Sequence, residues 1–136
     1  LRNSPFPEVT ASEYVRLKNG KVRAALAQHG DDGSVPRHLM HFLFRCDDAT
    51  KTEAEMASML IPLGFEVDLS KCEGGIIAEE HREVASEDFD CLTQSLSNLA
   101  EAHGWTYDGF ECAVEALQPP PVPAGAWGGL IKLFGG

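Results

Sequence analysis

The chain has no run of apolar residues approaching the length of a membrane span, and no signal-peptide pattern is visible in it. Its four cysteines, Cys46, Cys72, Cys91 and Cys112, form no CxxC pair and match no zinc spacing, so a metal-stapled fold is not expected. Three of them fall within probable strands or helices, the habit of reduced, partly buried thiols, and a reducing cytoplasm is the expected compartment. Basic residues are scarce. Eleven Lys and Arg stand against twenty-one Asp and Glu, giving a net charge of -10. Such a surface repels phosphates and speaks against direct binding of RNA or DNA. It attracts a basic protein segment, or simply keeps a small domain soluble. Also missing are a G-x-S-x-G nucleophile elbow, a glycine-rich phosphate loop, an H-E-x-x-H pair and any internal repeat. Nothing in the motif content points to an enzyme.

What is present is architectural. With 136 residues, a hydrophobic share of 43% and a mean hydropathy of -0.16, the chain has the makings of one soluble domain with its own core. Ser86 stands where a helix cap is wanted, and Glu87, Asp88 and Asp90 place negative charge on the positive end of the dipole. Phe89, Leu92, Leu96, Leu99 and Ala100 form one apolar stripe of a 3.6-residue helix. His103 and Gly104 supply its stop, and the run from Trp105 to Val114 reads as a strand in which Gly109 marks a bulge or a backbone that tolerates no side chain.

Upstream, Leu1 to Val9 reads as an extended lead-in. Thr10 and Ser12 can cap a helix carrying Tyr14, Val15 and Leu17, with Asn19-Gly20 as an interruption before Val22, Ala25 and Leu26 resume the stripe. Arg37 to Cys46 is a strand. Met40, Phe42, Phe44 and Cys46 take one face and Leu39, His41, Leu43 and Arg45 the other. Thr50 and Glu53 make a capping-box pattern for a second helix with Ala54, Ala57, Leu60 and Ile61 inward, and Pro62 distorts its last turn before Gly64. Phe65 to Leu69 is a short strand, Lys71 to Gly75 a turn, and Ile76 to Val84 the antiparallel return.

The order strand, helix, strand, strand, helix, strand predicts an α+β ferredoxin-like sandwich: a four-stranded antiparallel sheet with two helices on one face, plus an N-terminal helix. Residues 1–117 are read as one domain with a helical extension and a core over about 37–115. Residues 118–136 are read as a proline-rich spacer followed by a short hydrophobic segment with Trp127, Leu130, Ile131, Leu133 and Phe134. The expected core joins Phe42, Phe44, Leu60, Leu92, Leu96 and Leu99.

Candidate chemistry is thin. His38, His41 and His81 fall on neighbouring strands near Glu79, Glu80 and Glu83, yet His38 and His41 point to opposite faces, so no metal or other cofactor is expected. The expectation is a surface instead. Leu39, His41 and Leu43 would leave the open sheet face partly apolar, to be covered by the N-terminal helix, by the Trp127 to Phe134 segment, or by another chain, a second copy included. The tail is expected to dock on that face, its own or a neighbour's.

Four stretches carry a family resemblance: the strand from His38 to Phe44, the helix end Leu63-Gly64-Phe65-Glu66-Val67, the strand from Ile76 to Val84, and Leu99-Ala100-Glu101-Ala102-His103-Gly104-Trp105-Thr106-Tyr107-Asp108-Gly109-Phe110. Over Lys21 to Glu115 the chain resembles the regulator of ribonuclease activity B family, protein inhibitors of ribonuclease E. The resemblance implies the same fold and a non-catalytic bacterial regulator whose partner is ribonuclease E. The candidate protein-binding residues are Leu39, His41, Leu43, Glu79, Glu80, Glu83, Tyr107 and Asp108. The alternative is a dimerisation or small-molecule-binding module on the same fold with no link to ribonuclease.

Overall fold

Ser12 starts the first helix: its backbone is extended and its hydroxyl accepts from the Val15 amide at 3.2 Å. Helix α1 (Glu13–Ala27) then runs unbroken through Asn19-Gly20. The expected interruption does not occur because the buried Asn19 side chain donates to Asp90 Oδ1 at 2.8 Å and Thr93 Oγ1 at 2.9 Å, which fixes α1 against a later helix. Strand β1 (Arg37–Arg45) and helix α2 (Glu53–Leu60) follow. The capping box sits at Thr52 and Glu55, two residues beyond the Thr50–Glu53 pair the sequence suggests. Thr50 is otherwise engaged, its amide and hydroxyl both donating to the His103 carbonyl. Pro62 lies in a 3-10 turn, Ile61–Leu63, closed by Gly64. The remaining elements are β2 (Glu66–Asp68), β3 (Gly75–Arg82), α3 (Glu87–Ala102) and β4 (Trp105–Ala113). Ser86 has the extended geometry of a cap, but its side chain makes no capping bond.

This computed structural model describes residues 9–69 and 73–115 and the backbone of β5 (Leu130–Leu133). The expected lead-in up to Glu8, the proline spacer, Cys72, Trp127 and Phe134 lie outside the described residues.

The sheet is antiparallel throughout, in the order β2-β3-β1-β4-β5. Helix α2 joins β1 to β2 and α3 joins β3 to β4, each time between strands separated by one neighbour. That is the split arrangement of a ferredoxin-like sandwich. The four-stranded sheet of that sandwich is extended by β5, which pairs with β4 from Phe110↔Leu133 to Ala113↔Leu130. The backbone of Leu130–Leu133 therefore lines the sheet edge, not the sheet face on which docking was expected.

The two faces are the reverse of the expectation. Leu39, His41 and Leu43 are fully buried and lie beneath the helices with Ile76, Ala78, Phe110 and Cys112. Val22, Leu26, Met56, Leu60, Phe89, Leu92, Leu96 and Ala100 close over them. Met40, Phe42 and Phe44 are half-buried on the far side, so neither Phe42 nor Phe44 joins the core of Leu60, Leu92 and Leu96, while Leu99 packs at its margin. Helix α1 packs on α3, on the covered side, so it does not screen the open face.

What decides the orientation is polar satisfaction. Strand β1 carries a histidine and an arginine on its inward face, and each has a buried acidic partner. Arg37 and Asp31 are both at 0% side-chain exposure; the guanidinium donates to both Asp31 oxygens and to the Ala113 carbonyl at 3.0 Å. Asp31 also accepts from the Glu115 amide at 2.8 Å, so one ion pair joins the α1–β1 loop to the start of β1 and the end of β4. Among the described residues, no buried side-chain nitrogen or oxygen lacks a hydrogen-bond partner.

Candidate functional site

The residue His41 stands at the centre of the covered face with both ring nitrogens used. Nε2 lies 2.6 Å from Glu80 Oε2 and Nδ1 lies 2.8 Å from the Tyr107 hydroxyl. The other Glu80 oxygen accepts from Arg82 Nε at 2.5 Å. Alternation places Glu80 and Arg82 on the same side of β3 as Ile76 and Ala78, and so brings them to His41. The imidazole is ringed by aromatics, with Phe65 edge-on at 5.7 Å, Tyr107 at 5.8 Å and Phe110 at 6.0 Å between centroids. A carboxylate only accepts, so Nε2 carries a proton toward Glu80. Burial alone raises the Glu80 carboxyl; the hydrogen bond and charge of His41 and those of Arg82 outweigh it, and the net shift is downward. Burial pushes the Tyr107 hydroxyl well above its ordinary value, helped by the nearby Glu80 charge, so it is neutral.

A tyrosine, a histidine and a carboxylate in line form a proton relay in principle. Here His41 is 0% exposed and Glu80 7%, and neither ring nitrogen is left for a substrate. The chain of bonds holds β1, β3 and β4 together and keeps a polar core ordered.

A concave feature of the described surface lies one layer out. A cleft of about 470 Å³ runs between α1, α3 and β4, lined by Ser12, Tyr14, Lys18 and Asn19 on the first, Thr93, Gln94, Ser97 and Glu101 on the second, and Thr106 to Phe110 on the third. Its β4 wall is a bulge. Between His41↔Phe110 and Leu43↔Tyr107 the register shifts, so Asp108 and Gly109 oppose a single β1 residue. Gly109 takes φ +86°, a conformation that side chains strain, and the extra residue turns Asp108 toward the cleft. Tyr14 is 62% exposed, and Lys18 Nζ sits 4.5 Å from its ring centroid.

The eight sequence-derived binding residues do not form one surface. Leu39, His41 and Leu43 are buried and cannot contact a partner; the apolar character that suggested a binding face marks the core. Glu80 is engaged below the helices, while Glu79 lies on the open face with its carboxylate 2.8 Å from His38 Nε2. Glu83 follows the end of β3 and is half-buried. Only Tyr107 and Asp108 reach the cleft. His38 and His41 do point to opposite faces, exposed and buried respectively. Among the described residues no three His, Cys, Asp or Glu side chains converge as metal ligands, and no helix is long and apolar enough to cross a membrane.

Sequence reasoning missed the buried Asp31–Arg37 pair and the clamp in which Arg23 holds Asp90 and the carbonyls of Val84 and Ser86. Neither has a local signature, since the partners meet only when the chain folds.

In comparison with known proteins, the family model described as Regulator of ribonuclease activity B matches residues 16–112, from α1 to the end of β4. That is well over half of the chain, and it contains the relay and the cleft lining apart from Ser12, Tyr14 and Val15. No curated protein matches the chain.

Proposed function

The chain belongs to the regulator of ribonuclease activity B family, and from that premise we propose that it is a non-catalytic regulator that binds ribonuclease E and lowers its activity on RNA. The family match over 16–112 carries this reading. Two physical observations support it. The net charge of -10 repels an RNA backbone and favours a basic protein segment, so regulation works through the enzyme and not by shielding its substrate. The acid–base constellation of His41 with Tyr107 and Glu80 is spent on internal bonds. The site of action is the cytoplasm, where the four thiols stay reduced.

Pull-down of ribonuclease E from bacterial lysate with the full chain tests this at two salt concentrations. Retention at low salt and loss at high salt support an electrostatic protein contact. Retention of RNA in nuclease-treated and untreated lysate alike, without ribonuclease, contradicts it. The 470 Å³ cleft keeps a second reading in view, a small-molecule-binding module unrelated to ribonuclease. A co-purifying metabolite with no ribonuclease bound favours that one.

A further inference from the structure

We propose that the cleft between α1, α3 and the β4 bulge is the docking site for an extended basic segment of the ribonuclease, one that carries arginine or lysine beside an apolar side chain. The inference rests on the reading of the chain as a ribonuclease regulator and says where on the molecule that regulation acts. Four observations meet at this place.

The first is shape. Regular packing of α3 on the sheet leaves no groove, but the α1 N-terminal half stands off from β4, and the resulting hollow of about 470 Å³ is large enough for two or three side chains. The second is charge. Glu101 and Asp108 line the cleft, and neither carboxylate makes an ion pair or hydrogen bond with a described residue. Four other acids of the helix-covered side, Asp31, Glu80, Asp90 and Glu87, are by contrast paired with arginine. Two uncommitted carboxylates, one on α3 and one on β4, are placed for an incoming cation.

The third is an internal precedent. Lys18 Nζ rests over the Tyr14 ring at 4.5 Å, so this aromatic face accepts a cation, and an arginine guanidinium with its flat, weakly hydrated surface is better suited to it than an ammonium. Lys18 is free to swing outward on its long stem when the ring is taken. The fourth is backbone chemistry. Ser97 on α3 lines the cleft, and its hydroxyl can meet the main chain of an extended peptide. The bulge at Gly109 matters here because without it Asp108 would not be turned to the cleft.

The experiment uses the full chain and full-length ribonuclease E. Glu101→Gln and Asp108→Asn, singly and together, remove the charges but keep the shapes, and thermal unfolding checks that each variant is folded. The double variant is expected to need roughly ten-fold more protein for half-maximal inhibition, with a weaker salt dependence. A photo-crosslinking residue at Ser97 should capture the enzyme, and the same residue at His81 on the open sheet face should not. A folded double variant that inhibits like the parent, or capture from His81 but not Ser97, overturns the cleft and leaves the regulatory reading standing.

If the parent chain neither binds nor inhibits ribonuclease E, that reading fails, and the cleft is then decided on its own by NMR titration with an octapeptide of alternating arginine and leucine. Amide shifts centred on Ser97, Asp108 and Gly109 that vanish in the double variant sustain a basic-segment site. Shifts that are absent, or that centre on the open sheet face, overturn it.

Discussion

The Tyr107 hydroxyl lies 2.8 Å from His41 Nδ1 on the sheet face that the helices cover. Nε2 is committed to Glu80, and the Tyr107 hydroxyl is the hydrogen-bond partner of Nδ1. Tyr107→Phe keeps the ring that walls the cleft but leaves a buried ring nitrogen without its partner. Denaturant unfolding should show a loss of about 1–3 kcal/mol. A change close to zero would mean that water or another group replaces the hydroxyl, and the relay would not be the polar centre of the core.

Orientation of β1 can be checked by truncating each face in turn. Leu43 is fully buried and Met40 is half-exposed. Leu43→Ala is expected to cost about 2–5 kcal/mol and Met40→Ala clearly less. Leu96→Ala, in the same buried cluster as Leu43, belongs with the larger group. Equal losses at positions 40 and 43, or a larger one at 40, would contradict the arrangement of faces.

Acid sensitivity follows from Asp31 and Glu80. For Asp31, burial pushes the carboxyl up, but the Arg37 hydrogen bonds, the Glu115 and Gly33 amides and the Arg37 charge prevail, and its pKa falls below the ordinary 3.8. Glu80 likewise ends below its ordinary 4.5, burial being outweighed by His41 and Arg82. A carboxyl held lower in the folded state stabilises it fully above the unfolded value and loses that effect as pH falls through the folded value. Unfolding midpoints should therefore drop as the pH passes below 4.5 and 3.8. Asp31→Asn should be destabilised at neutral pH by about 3–5 kcal/mol, since it leaves Arg37 buried without its partner. The gap to the parent should narrow on acidification; a gap that is constant down to strong acid would contradict this account.

Thiol accessibility gives an independent check on burial. Cys46 is exposed, Cys91 half-buried and Cys112 buried, with burial pushing the Cys112 thiol up to about 11. Labelling of the native protein should modify Cys46 readily and Cys112 only after unfolding. Mass spectrometry of the labelled peptides reads this directly, and rapid native labelling of Cys112 would show that the β1–β4 interface opens.

Much of the fold is legible in the sequence because it is written in local terms. The α3 stripe, the stop at His103-Gly104 and the order of strands and helices need only neighbouring residues. Gly104 takes φ +71°, and a side chain there would collide with the Asp48 carbonyl, so its place at the helix end is fixed by packing as well as by turn chemistry. The choice of inward face on β1 is not local. Met40, Phe42 and Phe44 outrank Leu39, His41 and Leu43 by hydrophobicity, and the ranking inverts only because Glu80 and Tyr107 arrive from other strands to satisfy His41. The candidate site suffers in the same way. Asp108 and Tyr107 are visible in their motif, while Glu101 and Tyr14 join them only through the packing of α1 and α3.

The central claim, that this chain restrains ribonuclease E by binding the enzyme, is tested most directly by titrating the purified full chain into a cleavage assay with a labelled RNA. The account predicts that the rate falls to a plateau, that the midpoint follows the concentration of enzyme and not of RNA, and that raised salt weakens the effect. An unchanged rate with saturating protein, or a midpoint that tracks the RNA, would contradict it.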